Sequence, residues 1–133
     1  MNRWAIGLVA LVGFLMVGAG AGLKAHHAVA GVYDLNKEVV LEGRLKKLNF
    51  VNPHANIEID VPDKKTKKIT TWVLTTASTN NLTRQGVNKS SMKPGELLKV
   101  TVLPARNGGP TGFIRNLQLG DKSIQLFFGD GSD

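Results

Sequence analysis

The sequence feature that most restricts the fold is a period of two. From Val39 onward, apolar and polar residues alternate in short runs, and each run ends at a cluster of turn-forming residues. A helix needs apolar residues three and four apart, so a chain patterned this way buries a continuous face as strands. In the first run Val39, Leu41 and Leu45 alternate with Val40, Glu42, Arg44 and Lys46, and Leu48 and Phe50 then continue on the opposite parity. A bulge near Lys46-Lys47, helped by Gly43, re-aims a strand in this way, as closing a small barrel requires. Asn52-Pro53 ends the run, because the residue before proline is extended and proline has no N–H for a ladder.

The remaining runs follow the same logic. Ile57, Ile59 and Val61 point one way and Asn56, Glu58 and Asp60 the other, before a charged hairpin tip at Pro62–Lys68. A third strand covers about Ile69–Thr76 through Trp72, which reads as core. Ser78 or Thr79 can cap a short helix over Asn80–Gln85 that Gly86 ends. After the Lys93-Pro94-Gly95 turn, Leu97–Leu103 forms a fourth strand, Pro104–Gly112 a loop and Phe113–Leu119 a fifth strand. Ile124–Phe128 adds a short sixth. Three strands, a helix and two strands predict an all-β, OB-like barrel of five to six strands over 39–128, with a generic β-roll as the competing arrangement. An extension at 26–38 precedes it and a disordered tail at 129–133 follows.

The start of the chain is of another kind. Met1-Asn2-Arg3 is positive, Trp4–Leu23 is uncharged, and the apolar stretch Ile6–Val17 dissolves into Gly18-Ala19-Gly20-Ala21-Gly22. This reads as a signal peptide over 1–25, cleaved after Ala25, with cleavage after Ala21 as the alternative. An uncleaved anchor is disfavoured by its glycines. The expected location is the periplasm or the exterior of a bacterial cell, with no stable membrane span after cleavage. Removing 25 of 133 residues leaves 108; Arg3 and Lys24 go with them, so 15 of the 17 basic residues face 10 acidic ones, a net +5. That is too little for a dedicated nucleic-acid binder. The absence of cysteine excludes disulfides, thiolate metal sites and cysteine nucleophiles.

All three histidines fall in two motifs, Ala25-His26-His27 and Asn52-Pro53-His54. With Glu42-Gly43, Trp72, Leu82-Thr83-Arg84-Gln85-Gly86, Pro94-Gly95 and Ala105-Arg106-Asn107-Gly108, the chain resembles a family of small exported bacterial proteins, a domain of unknown function. Its members carry Ala-His-His at the mature start and Asn-Pro-His at a hairpin. Ala28 and Val51 stand here where that family usually has a serine and an aromatic residue. The resemblance implies no activity.

Function must therefore be read from the residues. Imidazole nitrogens suit Cu(II) or Zn(II), so His26, His27 and His54 are the candidate ligands of a copper or zinc ion. Cleavage after Ala25 adds an α-amino nitrogen beside His26, giving with His54 a site that resembles a histidine brace. The competing reading makes Asn52 a backbone cap and His54 a hydrogen-bonding turn residue. A second candidate is a metal-free groove bordered by Arg44, Lys46 and Arg106, suited to an anionic envelope component or a protein partner. The lysines of 64–68 read as a solvated tip. Glu58 and Asp60, about 7 Å apart on one strand face, suit paired acid–base work least well. The expectation is an exported binding module with no assigned catalytic residue.

Overall fold

The computed structural model describes residues 29–126. The chain divides into two compact units, Met1–Gly31 and Val32–Asp133, and the fold is that of the second. The leader expected at 1–25, His26, His27, Phe127, Phe128 and the tail at 129–133 lie outside the described residues.

The barrel is organised by its longest strand. β1 (Val39–Asn49) lends Val39–Arg44 to antiparallel pairing with β4 (Leu97–Pro104). Its second half, Arg44–Asn49, pairs antiparallel with β2 (Asn56–Pro62). One strand can serve two neighbours in this way only if it coils, and the expected bulge supplies the bend. Leu45 stands opposite Ile59 and Lys47 opposite Glu58, so Lys46 is the extra residue. Gly43 lies at the point of closest approach. A Cβ there would sit 2.7 Å from the Asp60 carbonyl oxygen and 2.9 Å from Val61 Cγ2, so only glycine lets β2 cross so near.

β3 (Ile69–Thr75) pairs antiparallel with β2, and β5 (Thr111–Leu119) with β4. Parallel pairing of Val73–Thr75 with Thr111–Phe113 closes the five strands, while β6 (Lys122–Gln125) adds a hairpin on β5. The sheet order is β3-β2-β1-β4-β5-β6, and α1 (Thr79–Arg84) links β3 to β4. This is the predicted all-β, OB-like barrel with a sixth strand. Alternate residues Leu41, Leu45, Ile57, Ile59, Leu74, Val100, Val102, Ile114 and Leu117 fill it, with Leu48, Phe50 and Trp72 half-buried against them. Each fully buried Leu or Ile is worth roughly 1.5–3 kcal/mol, which is what holds the closure against chain entropy.

Several boundaries differ from the sequence reading: β4 runs one residue further, through Pro104, and α1 ends at Arg84 rather than Gln85. β5 begins at Thr111, not Phe113, because Gly112 is a strand residue whose hydrogen clears Val102 and Leu103 by a margin that a methyl would not. β6 covers Lys122–Gln125 rather than Ile124–Phe128, since the Gly120 turn sets Leu119 opposite Lys122 and starts the strand at once. α1 starts one residue early, at Thr79, with Ser78 as its cap. Among the described residues, no helix is long and apolar enough to cross a membrane.

The segment before β1 is docked on the barrel. Tyr33 forms an isolated antiparallel bridge with Ala105, the Asp34 N–H donates to the Pro104 carbonyl at 2.9 Å, and the Arg106 N–H to the Val32 carbonyl at 3.0 Å. The Tyr33 ring meets Phe113 edge-on at 5.8 Å, and its hydroxyl lies 3.2 Å from Thr75 Oγ1. Arg115 of β5 and Glu38, the residue before β1, pair at 2.7 Å.

Candidate functional site

The β1–β2 connection carries the Asn-Pro-His motif, and two neighbouring elements tie it down. The Asn52–Pro53 peptide is cis. Asn52 Oδ1 accepts from the Thr79 hydroxyl at 2.7 Å and from the Thr79 N–H at 3.2 Å, so it holds the first residue of α1. Helix starts leave their first N–H groups without intrahelical partners, and a side-chain oxygen is the usual remedy. Ser78 Oγ takes the next one, accepting from the Asn81 N–H at 3.2 Å. Ala55 is fully buried and pairs with the strand exit: its carbonyl accepts from the Thr76 N–H at 2.8 Å and its N–H donates to the Ala77 carbonyl at 3.3 Å.

His54 lies between these anchors and is exposed. Its Nδ1 is 3.2 Å from the Thr76 carbonyl oxygen. A carbonyl can only accept, so the bond requires the proton on Nδ1, and in the neutral ring Nε2 then carries the lone pair. This is the arrangement that orients a metal-ligating imidazole: one ring nitrogen donates to the backbone and the other is offered outward. The geometry is that of the turn reading: Asn52 caps the start of α1 and His54 hydrogen-bonds the backbone.

The other candidates scatter. His26 and His27 lie outside the described residues, and among those described no three His, Cys, Asp or Glu side chains gather as a metal cage. Arg44 Nη1 donates to the Gly95 carbonyl at 2.9 Å, which binds it to the turn before β4. Lys46 Nζ reaches Thr71 Oγ1 at 3.4 Å and Asp60 at 4.0 Å on the outer face of β2 and β3. Arg106 follows β4, whereas Arg44 stands opposite Leu97 at its start. Eight residues of strand, about 26 Å of extended chain, separate the two levels. The three basic residues are not brought together. The loops on either side of the expected groove do both meet β3 or its exit, however: His54 at Thr76, the residue after β3, and the Pro110 carbonyl at the Val73 N–H, 3.1 Å.

Asp60 accepts from the Thr71 hydroxyl at 2.6 Å, and Glu58 stands opposite Lys47 and Val73. Both carboxylates thus belong to a cross-strand polar face. A separate cleft of about 380 Å³ lies between the turn before β4 and the β5–β6 turn, lined by Ser91, Glu96, Leu97, Leu98, Gln118, Leu119 and Gly120. It contains no histidine.

The partners of the motif were not evident from sequence. Thr79 was one of two possible caps, but its hydroxyl serves Asn52 rather than its own helix. Nothing in the sequence marks the Thr76 carbonyl as the anchor of His54, because a backbone acceptor has no residue signature.

A search of curated proteins and a search of solved structures each returned no match. The sequence model of a family of unknown function, DUF6152, matches residues 14–115, a span that holds all three histidines and the barrel as far as the middle of β5. With most of the chain inside that match, the protein belongs to the DUF6152 family of unknown function.

Proposed function

We propose that this protein is an exported bacterial binding module for copper or a similar divalent ion, with zinc as the other candidate, and that His54 is its anchored ligand. The observation that carries the reading is the Nδ1 bond to the Thr76 carbonyl, which leaves Nε2 of an exposed ring as the acceptor. The sequence offers His26 and His27 as the further imidazoles, and the α-amino group beside His26 if the leader is removed after Ala25. The Tyr33 hydroxyl, six residues after His27 in the chain, bonds Thr75, the neighbour of the anchoring Thr76. With no cysteine in the chain, histidine and the amino terminus are the nitrogen donors such an ion would find.

The test is calorimetric titration of Cu(II) and Zn(II) into protein whose start has been fixed by intact mass. A mature chain beginning at His26 is expected to bind at least tenfold more tightly than His54→Ala and His54→Gln. The glutamine variant keeps an N–H for Thr76 while removing the imidazole, so folding and ligation are separated. Equal affinity of wild type and both variants would overturn the metal reading. It would leave the metal-free module, which takes an anionic envelope component or a protein partner through its barrel face, without the three-residue basic border that the sequence suggested. A mature start at Gly22 would remove the amino-terminal donor.

A further inference from the structure

In sequence the β2–β3 hairpin tip is a solvated charge run, but the structure gives it a defined shape. Asp63 Oδ1 accepts from the Thr66 N–H at 2.7 Å, the Lys65 N–H at 2.9 Å and the Thr66 hydroxyl at 3.0 Å. The Asp63 N–H donates to the Lys68 carbonyl at 2.8 Å, and the Lys67 N–H to the Asp63 carbonyl at 3.0 Å. One carboxylate at the centre thus holds the turn and projects Lys64, Lys65, Lys67 and Lys68 around it. Lys67 has φ 61°, a left-handed conformation that glycine or asparagine adopts at less cost. A lysine at this position places a charge where the local backbone preference is for another residue type. Among the described residues, no ion pair involves any of the four lysines. Directly beneath them Pro62 stands opposite Ile69 across the hairpin, and Ile69 is 63% exposed.

We propose that this tip docks the protein on an anionic phospholipid bilayer, the lysines meeting headgroup phosphates and Ile69 entering the interface. Four lysines against one carboxylate, on a turn seven residues long, match a diffuse field of negative charge. They lack what a single-stranded polyanion would ask for. Positions 62–70 contain no arginine fork and no aromatic platform. An exposed isoleucine among the lysines has no use in phosphate binding alone but adds apolar contact at a membrane surface. The geometry also fixes an orientation. β2 starts two residues after His54 and ends at the tip, so a strand length of roughly 20 Å separates them and a docked molecule turns its Asn-Pro-His loop away from the lipid.

The experiment is vesicle co-sedimentation at physiological ionic strength, using protein purified from cells expressing the full chain and vesicles of phosphatidylglycerol mixed with phosphatidylcholine, or phosphatidylcholine alone. Each lysine near an anionic surface contributes about fivefold in affinity, so Lys64→Gln/Lys67→Gln is expected to bind at least tenfold more weakly. Lys89→Gln/Lys122→Gln, which removes the same charge from two exposed positions elsewhere, is expected to bind within about twofold of wild type, because screening confines the effect to about 8 Å. Ile69→Ser is expected to lower binding further as salt is raised. Three results would overturn the proposal: equal binding to both vesicle types, equal loss in the control variant, or binding of soluble polyphosphate as tight as that of the anionic vesicles. Binding of the anionic vesicles that is lost only in the tip variants supports it.

Discussion

Gly43 and Asn52 are the residues whose identity the architecture depends on most directly, for opposite reasons. Gly43 matters for what it lacks, since the 2.7 Å separation from the Asp60 carbonyl leaves no room for a methyl group. The obstacle is a backbone oxygen, not the end of a flexible side chain, so β2 itself must move. Gly43→Ala is expected to destabilise by about 1–3 kcal/mol, the range for overpacking a close contact, read as a lower midpoint in chemical denaturation. Asn52 matters for its oxygen, which serves both the hydroxyl and the N–H of Thr79. Asn52→Ala is expected to cost about 1–2 kcal/mol, and Asn52→Asp, which keeps an acceptor in place, to recover most of it. A turn at Asn52-Pro53-His54 was legible from residue types alone. Its destination on α1 was not, because Thr79 is 27 positions away and no periodicity links them.

At the scale of elements, alternation proved a reliable guide where a strand has one buried face, and the parity switch in β1 located the bulge at Lys46. It misplaced β6, where an apolar run past Ile124 outweighed the turn at Gly120 that sets the register. The β2–β3 tip was visible only as charge, since the carboxylate that shapes it is one acidic residue among lysines. Its hydrogen bonds from the Thr66 N–H, the Thr66 hydroxyl and the Lys65 N–H hold the Asp63 carboxyl below its ordinary value of 3.8. The sign follows from linkage: a carboxylate whose value is lower folded than unfolded contributes fully above the unfolded value and loses that contribution as pH falls through the folded one. The tip is therefore expected to keep its order at neutral pH and to loosen below about pH 3.8 as Asp63 protonates. An NMR titration of the Asp63 side-chain carboxyl carbon, followed with the Thr66 amide, checks this. A midpoint at or above 3.8 would show that the turn does not depend on the carboxylate.

For the whole molecule, the instructive part is the segment before β1, which the sequence presented only as an extension at 26–38. A single bridge has no period, so neither alternation nor turn signals announce that Tyr33 pairs with Ala105. Its docking joins the segment to the β4–β5 end of the barrel and, through the Thr75 hydroxyl, to the strand exit that holds His54. If this docking is an attachment to a barrel that closes without it, removing the ring should free the segment and leave the barrel intact. Tyr33→Ala is expected to speed hydrogen exchange at the Asp34 and Arg106 amides, which bond across the junction, while the Val100 and Ile114 amides inside the barrel keep their protection. Tyr33→Phe keeps the edge-on contact with Phe113 and loses only the hydroxyl bond, worth about 0.5–1.5 kcal/mol. It should therefore change exchange at the junction much less than alanine does. Uniform loss of protection across β4 and β5 in Tyr33→Ala would instead make the segment a structural part of the barrel, without which the five-stranded closure does not hold.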